Sequence, residues 1–265
     1  MIIYELDGTK SKEIKIPEQF QEPYHPNLIK RAVSVIRSNK RQKYGAADRA
    51  GKRSSARVSR RRRDFRGSYG KGISRAPRKV MWRRGTQFSW EGAIAPGTKG
   101  GRKAHPPKSE KDFTEKINIK EKRKAMRSAL TASLNLDLVK KRNHIFTTYP
   151  LFVVDKIENI TKTKDLKSTL EKLGLKEELQ RVSIKKIRAG KGSVRGRKYK
   201  KKIGPLIIVS KKCELTNTGK NLQGVDIKTI DKINTELLAP GTQAGRLTIF
   251  TEKAIERMEK EKLFM

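Results

Sequence analysis

A chain of 265 residues is long enough for one large domain or two modest ones, yet only 34% of it is hydrophobic while 35% is charged. Sixty-five Lys and Arg against 27 Asp and Glu give a formal net charge of +38, a self-repulsion that suits a protein bound to a polyanion, with nucleic acid ahead of a charged membrane surface. No apolar run approaches the roughly 18 residues that span a bilayer, the acidic opening Met1-Ile2-Ile3-Tyr4-Glu5 is unlike a signal peptide, and the lone Cys213 rules out a disulfide framework or a Cys-built metal site, so a reducing cytoplasm is expected.

In chain order, residues 2–6 and 13–16 read as short strands around the turn signal Asp7-Gly8. Leu28, Ile29, Ala32, Val33, Val35 and Ile36 then recur at helical spacing, predicting a helix to about Asn39.

Residues 40–110 break that pattern. They hold twenty-two Lys and Arg against four acids, ten of the twenty glycines and both tryptophans. Their few aliphatics follow neither a helical nor an alternating period. A segment this polar buries too little apolar area to offset its ordering entropy, so the reading is an extended loop, largely disordered alone, that takes its shape from a polyanion. Candidate RNA-binding residues here are Arg53, Arg57, the run Arg60, Arg61, Arg62 and Arg63, then Arg66, Arg75, Arg78, Lys79, Trp82, Arg83, Arg84, Trp90, Lys99, Arg102, Lys103 and His105. Arginine makes bidentate phosphate contacts, exposed aromatic rings stack on unpaired bases, and glycine lets backbone approach phosphate closely. Two arms of about 30 residues would reach at most roughly 100 Å, longer than the body is wide and suited to a large RNA assembly.

Asn118 with Glu121 fits a capping signature for the next helix, whose Arg123 and Arg127 stay available to a partner. Leu151-Phe-Val-Val154 and Leu206-Ile-Ile-Val209 read as strands buried on both faces, Val225-Asp-Ile227 as a weaker one, and Leu247-Thr-Ile-Phe250 as a fourth. Between and after them, Thr163 and Thr251 are plausible N-caps, and Gly174 sits where a helix C-terminus belongs. Strands alternating with helices predict an α/β fold: a mainly parallel sheet with helices on both faces, plus the long basic internal loop. The division expected is a body of residues 1–43 and 111–265, with 44–110 as the loop.

A second basic segment, residues 185–202, has no acid and precedes a core strand, which places it as a loop at one edge of the sheet. Arg188, Lys191, Arg195, Arg197 and Lys198 are its candidate RNA contacts.

Catalytic readings fare worse. His25, His105 and His144 stand in unrelated contexts and read as solvated or phosphate-facing. The stretch Gly92-Ala-Ile-Ala-Pro-Gly97-Thr98-Lys99 has Thr before Lys, the reverse of a phosphate-binding loop, and Gly190-Lys-Gly192 lacks the third glycine of a dinucleotide fingerprint. No paired carboxylates stand out, and no cofactor, metal or catalytic residue is expected. The competing classes are an RNA-processing or RNA-modifying factor with a basic substrate arm, which needs a convergent acid/base or cofactor site, and a free-standing nucleic-acid condensing protein, which needs no α/β body.

Several stretches carry a family resemblance: Gly100-Gly-Arg-Lys-Ala-His-Pro-Pro107, Asn118-Ile-Lys-Glu-Lys-Arg-Lys-Ala-Met-Arg-Ser-Ala-Leu130, Arg188-Ala-Gly-Lys-Gly-Ser-Val-Arg-Gly-Arg-Lys-Tyr199, Gly204-Pro-Leu-Ile-Ile-Val-Ser210, Leu237-Leu-Ala-Pro-Gly241 and Gly245-Arg-Leu-Thr-Ile-Phe-Thr251. In this order they resemble the archaeal/eukaryotic-type large-subunit ribosomal protein number four family. The resemblance implies a non-enzymatic protein of the large ribosomal subunit in the cytoplasm, with large-subunit ribosomal RNA and neighbouring large-subunit proteins as partners and no membrane. It also implies a loop tip that lines the peptide exit tunnel, touches the nascent peptide transiently and forms a constriction with large-subunit protein number twenty-two. Arg61, Arg62, Arg63, Phe65, Arg66 and Tyr69 correspond to that tip. The four consecutive arginines before Asp64-Phe65, and Ser193 where a basic residue is usual, depart from the family pattern.

Overall fold

A strand whose every side chain is buried needs a packed layer on each side. Leu151–Val153, Leu206–Val209 and Thr248–Thr251 are three such strands, and they form the middle of the sheet. The computed structural model describes residues 1–63, 67–72 and 74–265. The chain divides into two compact units, Met1–Asn39 with Glu115–Met265, and Lys40–Thr114. Each limit of the second unit lies four residues outside the expected 44–110.

In chain order the elements are β1 (Ile2–Tyr4), β2 (Lys10–Glu13), α1 (Pro26–Asn39), β3 (Arg78–Arg84), β4 (Gln87–Gly92), α2 (Ile119–Leu134), α3 (Leu136–Lys141) and β5 (Leu151–Val153). They continue with α4 (Thr163–Leu170), α5 (Lys176–Ser183), β6 (Lys186–Ile187), β7 (Tyr199–Lys200), β8 (Leu206–Val209), α6 (Leu215–Thr218), β9 (Asp226–Thr229), α7 (Thr235–Leu238), β10 (Thr248–Thr251) and α8 (Glu252–Lys260).

The first unit is built on a six-stranded sheet in the order β2-β1-β5-β10-β8-β9. All neighbours pair in parallel except the edge pair β1–β2. Ile249 is opposite both Leu151 and Ile207, and Phe250 opposite both Phe152 and Ile208. Because side chains alternate across a strand, these rows feed two separate cores. Ile3, Phe152, Ile208 and Phe250 pack with Ile29 and Val33 of α1, Leu130 of α2, and Ile255 and Met258 of α8. Leu151, Val153, Ile207, Val209 and Ile249 pack with Leu166 and Leu170 of α4 and with Leu215 of α6. Helices therefore cover both faces, as expected from the alternating elements.

Local expectations changed in five places. The second strand is Lys10–Glu13, not 13–16: its four residues are exposed and held by the backbone ladder, while Ile14 and Ile16 leave the strand and pack on the core. Asn118 precedes α2 without a side-chain cap bond, and Glu121 instead faces Arg31. Thr251 does precede α8, but its hydroxyl donates to Glu158 (2.8 Å), and Thr163 is the first residue of α4 rather than its cap. The second basic segment feeds β8, which lies between β10 and β9, so it leaves from a strand end and not from the sheet edge. Gly174 adopts φ 80° between α4 and α5, the left-handed geometry expected at a helix end.

Candidate nucleic-acid interface

The unit Lys40–Thr114 has local structure of its own. At its root Tyr44 stacks on Phe113 with ring centroids 5.9 Å apart, and the Arg41 guanidinium lies 4.4 Å from the Phe113 ring centre. Ala46 N–H donates to Pro107 O (3.0 Å), bringing the outgoing and returning arms together. At Gly51, φ 73°, they pass so closely that a Cβ there would lie 2.4 Å from the Arg102 nitrogen. Only glycine fits that turn and that approach. Further along, Ser68 donates to Ser59 O through both its N–H (3.2 Å) and its hydroxyl (2.7 Å). That contact closes a loop carrying Arg60, Arg61, Arg62 and Arg63, all exposed. Tyr69 is exposed with Arg75 5.1 Å from its ring centre. Phe65 and Arg66 lie outside the described residues.

The sequence reading found no period here, but β3 and β4 form an antiparallel hairpin turned at Gly85-Thr86, with Gly85 at φ 55°. Arg78, Lys79, Trp82, Arg83, Arg84 and Trp90 are thereby brought together. Val80, Met81, Trp82, Phe88 and Trp90 are all exposed large apolar side chains. Lys79 faces Glu91 at 3.7 Å, and Arg83 covers Phe88 at 5.2 Å from its ring centre. Arg53, Arg57, Lys99, Lys103 and His105 are exposed on the rest of the unit, and Arg102 is half-buried.

Residues 185–202 are also a folded hairpin. Lys186 pairs opposite Lys200 and Ile187 opposite Tyr199, Arg188 N–H donates to Lys198 O (2.8 Å), and the Arg188 guanidinium donates to Arg197 O (3.0 Å). Arg197 N–H closes the tip onto Gly192 O (3.1 Å). Lys191, Arg195, Arg197 and Lys198 project into solvent while Arg188 is half-buried. A direct Lys–Lys cross-strand pair is unfavourable without an outside counter-charge.

Elsewhere in the first unit, several cations are matched by acids of the same unit. Arg123 is exposed, but Arg127 is not available as expected: it forms an ion pair with Glu22 (2.9 Å) and donates to Phe264 O (2.8 Å). His144 is likewise neither solvated nor phosphate-facing. It is buried with Nδ1 2.6 Å from Glu178 Oε1, beside Arg181, which donates to Glu178 (2.7 Å) and to Ile203 O (2.9 Å) at the end of the second basic segment. Burial opposes ionisation of Glu178, yet hydrogen bonds from Arg181, His144 and Ile145 N–H outweigh it and hold its pKa at about 2. Burial pushes the His144 pKa down, which favours the neutral ring. His25 is half-buried near Glu22, and His105 is exposed.

Arg246 was missed as a structural residue. It is buried, pairs with Asp226 at 2.5 Å, and donates to Gly204 O and Leu237 O. In so basic a chain nothing in sequence separates it from a phosphate-binding arginine. At the carboxyl ends of β8 and β10, where α/β folds commonly place ligands, Glu158 accepts from Ser210 N–H (2.9 Å), Ser210 Oγ (3.0 Å) and Thr251 Oγ1. That carboxylate holds strand ends together.

Residues 14–261 match the model of the ribosomal protein L4/L1 family. The chain is 48% identical to the large ribosomal subunit protein uL4 of Nanoarchaeum equitans, with 99% of this chain and 98% of the relative covered. It is 44% identical to the protein of that name from Methanococcoides burtonii, over 97% and 96% of the two chains. The corresponding Halobacterium salinarum protein is 38% identical over 97% of each chain. With fold, length and sequence in agreement, the chain belongs to the ribosomal protein L4/L1 family.

Proposed function

We propose that this chain is a structural constituent of the large ribosomal subunit, that it binds large-subunit ribosomal RNA, and that it performs no catalysis. Residues 44–110 act as the RNA-binding segment and the remainder as the folded body that holds it. The basic candidate residues named above, on both basic segments and at Arg123, though not Arg127, of α2, neutralise phosphates, Trp82 and Trp90 stack on bases, and Arg61, Arg62, Arg63, Phe65, Arg66 and Tyr69 line part of the polypeptide exit tunnel. There they adjoin large-subunit protein number twenty-two and transiently the nascent peptide. Arg127 is withdrawn from this set because Glu22 and Phe264 O already occupy it.

The observation that carries the reading is the hairpin of residues 185–202. Ten Lys and Arg with no acid are folded so that Lys186 directly faces Lys200. A polyanion supplies the charge that such a ladder lacks. Family membership and the names of the relatives support the assignment to the large subunit.

Crosslinking in assembled large subunits tests it. Photoreactive groups at positions 61, 69, 102 and 195 should crosslink to large-subunit RNA at 102 and 195, and to a stalled nascent peptide at 61 or 69. Labelling of position 195 by solvent reagents alone would overturn the RNA assignment. RNA contact at 102 and 195 with no nascent-peptide contact would overturn only the tunnel assignment.

A further inference from the structure

The β3–β4 register contains an irregularity with a consequence for the two tryptophans. Val80 pairs with Trp90, but the next paired residue is Trp82, opposite Ser89, so Met81 is an extra residue in the ladder. In an unbroken strand, side chains at positions 80 and 82 share a face. The added residue shifts that alternation and moves Trp82 to the face opposite Trp90. Contacts agree with this assignment. Phe88 and Trp90 lie together with ring centroids 5.9 Å apart and Arg83 covers Phe88, so Val80, Arg83, Phe88 and Trp90 share one face. Lys79 meets Glu91 on the other face, where Trp82, Arg84 and Ser89 also lie.

Trp82 is 54% and Trp90 55% exposed, so neither serves as a core residue of this unit. Each face pairs an indole with an arginine, Arg83 on one and Arg84 on the other, and the hairpin from Arg78 to Gly92 holds four Lys and Arg against a single acid, Glu91. An apolar protein partner would meet uncompensated cations on both faces. An unpaired RNA strand offers a flat base to each indole and a phosphate to each adjacent arginine.

The geometry points to a two-sided stacking wedge: the bulge at Met81 divides the tryptophans so that the hairpin holds unpaired RNA bases on both faces. This rests on the RNA-binding reading above and adds to it the form of RNA bound and the division of labour between faces.

Trp82 and Trp90 are the chain's only tryptophans, so intrinsic tryptophan fluorescence reads this hairpin alone. In the full-length chain, Trp82→Phe leaves Trp90 as sole reporter and Trp90→Phe leaves Trp82. Each would be titrated with a single-stranded oligoadenylate and with an RNA duplex of equal charge, while fluorescence anisotropy of the end-labelled RNA reports total binding. The expected result is quenching of both reporters by the single strand, with the duplex bound but quenching neither. Trp82→Ala and Trp90→Ala should each weaken single-strand affinity roughly 5- to 100-fold and duplex affinity little. Quenching of only one reporter overturns the two-sided wedge. Normal anisotropy with both reporters unquenched overturns base stacking, as a protein-facing hairpin would, and leaves RNA binding intact. Loss of all RNA binding by the unaltered chain would overturn the RNA-binding reading itself.

Discussion

The two units use polar residues in opposite ways. Met1–Asn39 with Glu115–Met265 carries twenty-two acids for forty-two Lys and Arg, and several of those acids pair with cations of the same unit: Glu22 with Arg127, Glu178 with Arg181 and His144, Asp226 with Arg246, Asp231 with Arg257. Lys40–Thr114 carries five acids for twenty-three Lys and Arg, and its large apolar side chains Val80, Met81, Trp82, Phe88 and Trp90 are exposed. Where an acid stands opposite, as at these sites of the first unit, a charge holds the fold together; on the β6–β7 hairpin and over most of the second unit it is surface held ready for something else. A basic chain can therefore spend similar residues on structure or on binding, and which one holds depends on whether an acid lies within reach. Four experiments sharpen or break this contrast.

The largest effect should come from Glu178→Ala. Removing this carboxylate leaves Arg181 and His144 together in a buried setting, and breaking a buried pair from one side costs about 3–5 kcal/mol. The sign of the pH dependence follows from the same cluster. Glu178 is held at about 2 against an ordinary 4.5, so its contribution is complete above 4.5 and is lost as pH falls from there towards 2. His144 is pushed below its ordinary 6.5, so the unfolded chain binds its proton first and stability begins to fall below that pH. Chemical denaturation of the wild type between pH 7 and 3 should show both losses, and Glu178→Ala should lack the lower one. A variant as stable as wild type would mean that internal charge pairing does not support the first unit.

Next in size is the triple change Arg195→Ala, Arg197→Ala and Lys198→Ala. These side chains project from the β6–β7 hairpin, so unfolding should be little altered while RNA affinity drops. Each lost phosphate contact lowers the slope of log affinity against log salt by about 0.7–0.9. A fall of about 2 in the slope for large-subunit RNA is expected. An unchanged slope would place this hairpin with the self-satisfied part of the molecule.

Third is Gly51→Ala. It sets a Cβ against the Arg102 backbone at a left-handed φ, a strain of about 1–2 kcal/mol. The cost should stay local, appearing as faster hydrogen exchange at residues 44–52 and 101–107 with no shift in the main unfolding transition. A matching shift in that transition would show the two units to unfold as one.

These experiments also mark what was legible in the sequence. The central strands were, because burial on both faces demands continuous apolar runs such as Leu206-Ile-Ile-Val209. Strand β2 was not, because Lys10-Ser-Lys-Glu13 pairs only through its backbone and has no apolar residue to announce it. The β3–β4 hairpin was hidden by its bulge, which breaks alternation at the one place where Val80 and Trp82 would have shown it. Its remaining signals were the alternation Phe88-Ser-Trp90 in β4 and a two-residue Gly-Thr turn between segments rich in strand-forming residues. The candidate interface was legible as charge density, but Arg127 and Arg246 cannot be told from RNA-facing arginines without knowing that Glu22 and Asp226 stand opposite them.

The smallest expected effect is the most direct test of the contrast. Deleting residues 59–72 removes the four consecutive arginines and Tyr69 but, among the described residues, no member of either hydrophobic core, and the Ser59–Ser68 contact that closes the tip goes with it. Surface changes outside a core typically alter stability by no more than about 0.5 kcal/mol, and shortening a loop shifts its closure entropy only slightly. The deleted chain should thus melt within a degree or two of wild type and still bind large-subunit RNA through the β6–β7 hairpin. Loss of a cooperative transition would mean that the tip contributes to the fold of the first unit. Retained melting with loss of all RNA binding would instead move the whole binding function onto the deleted arginines.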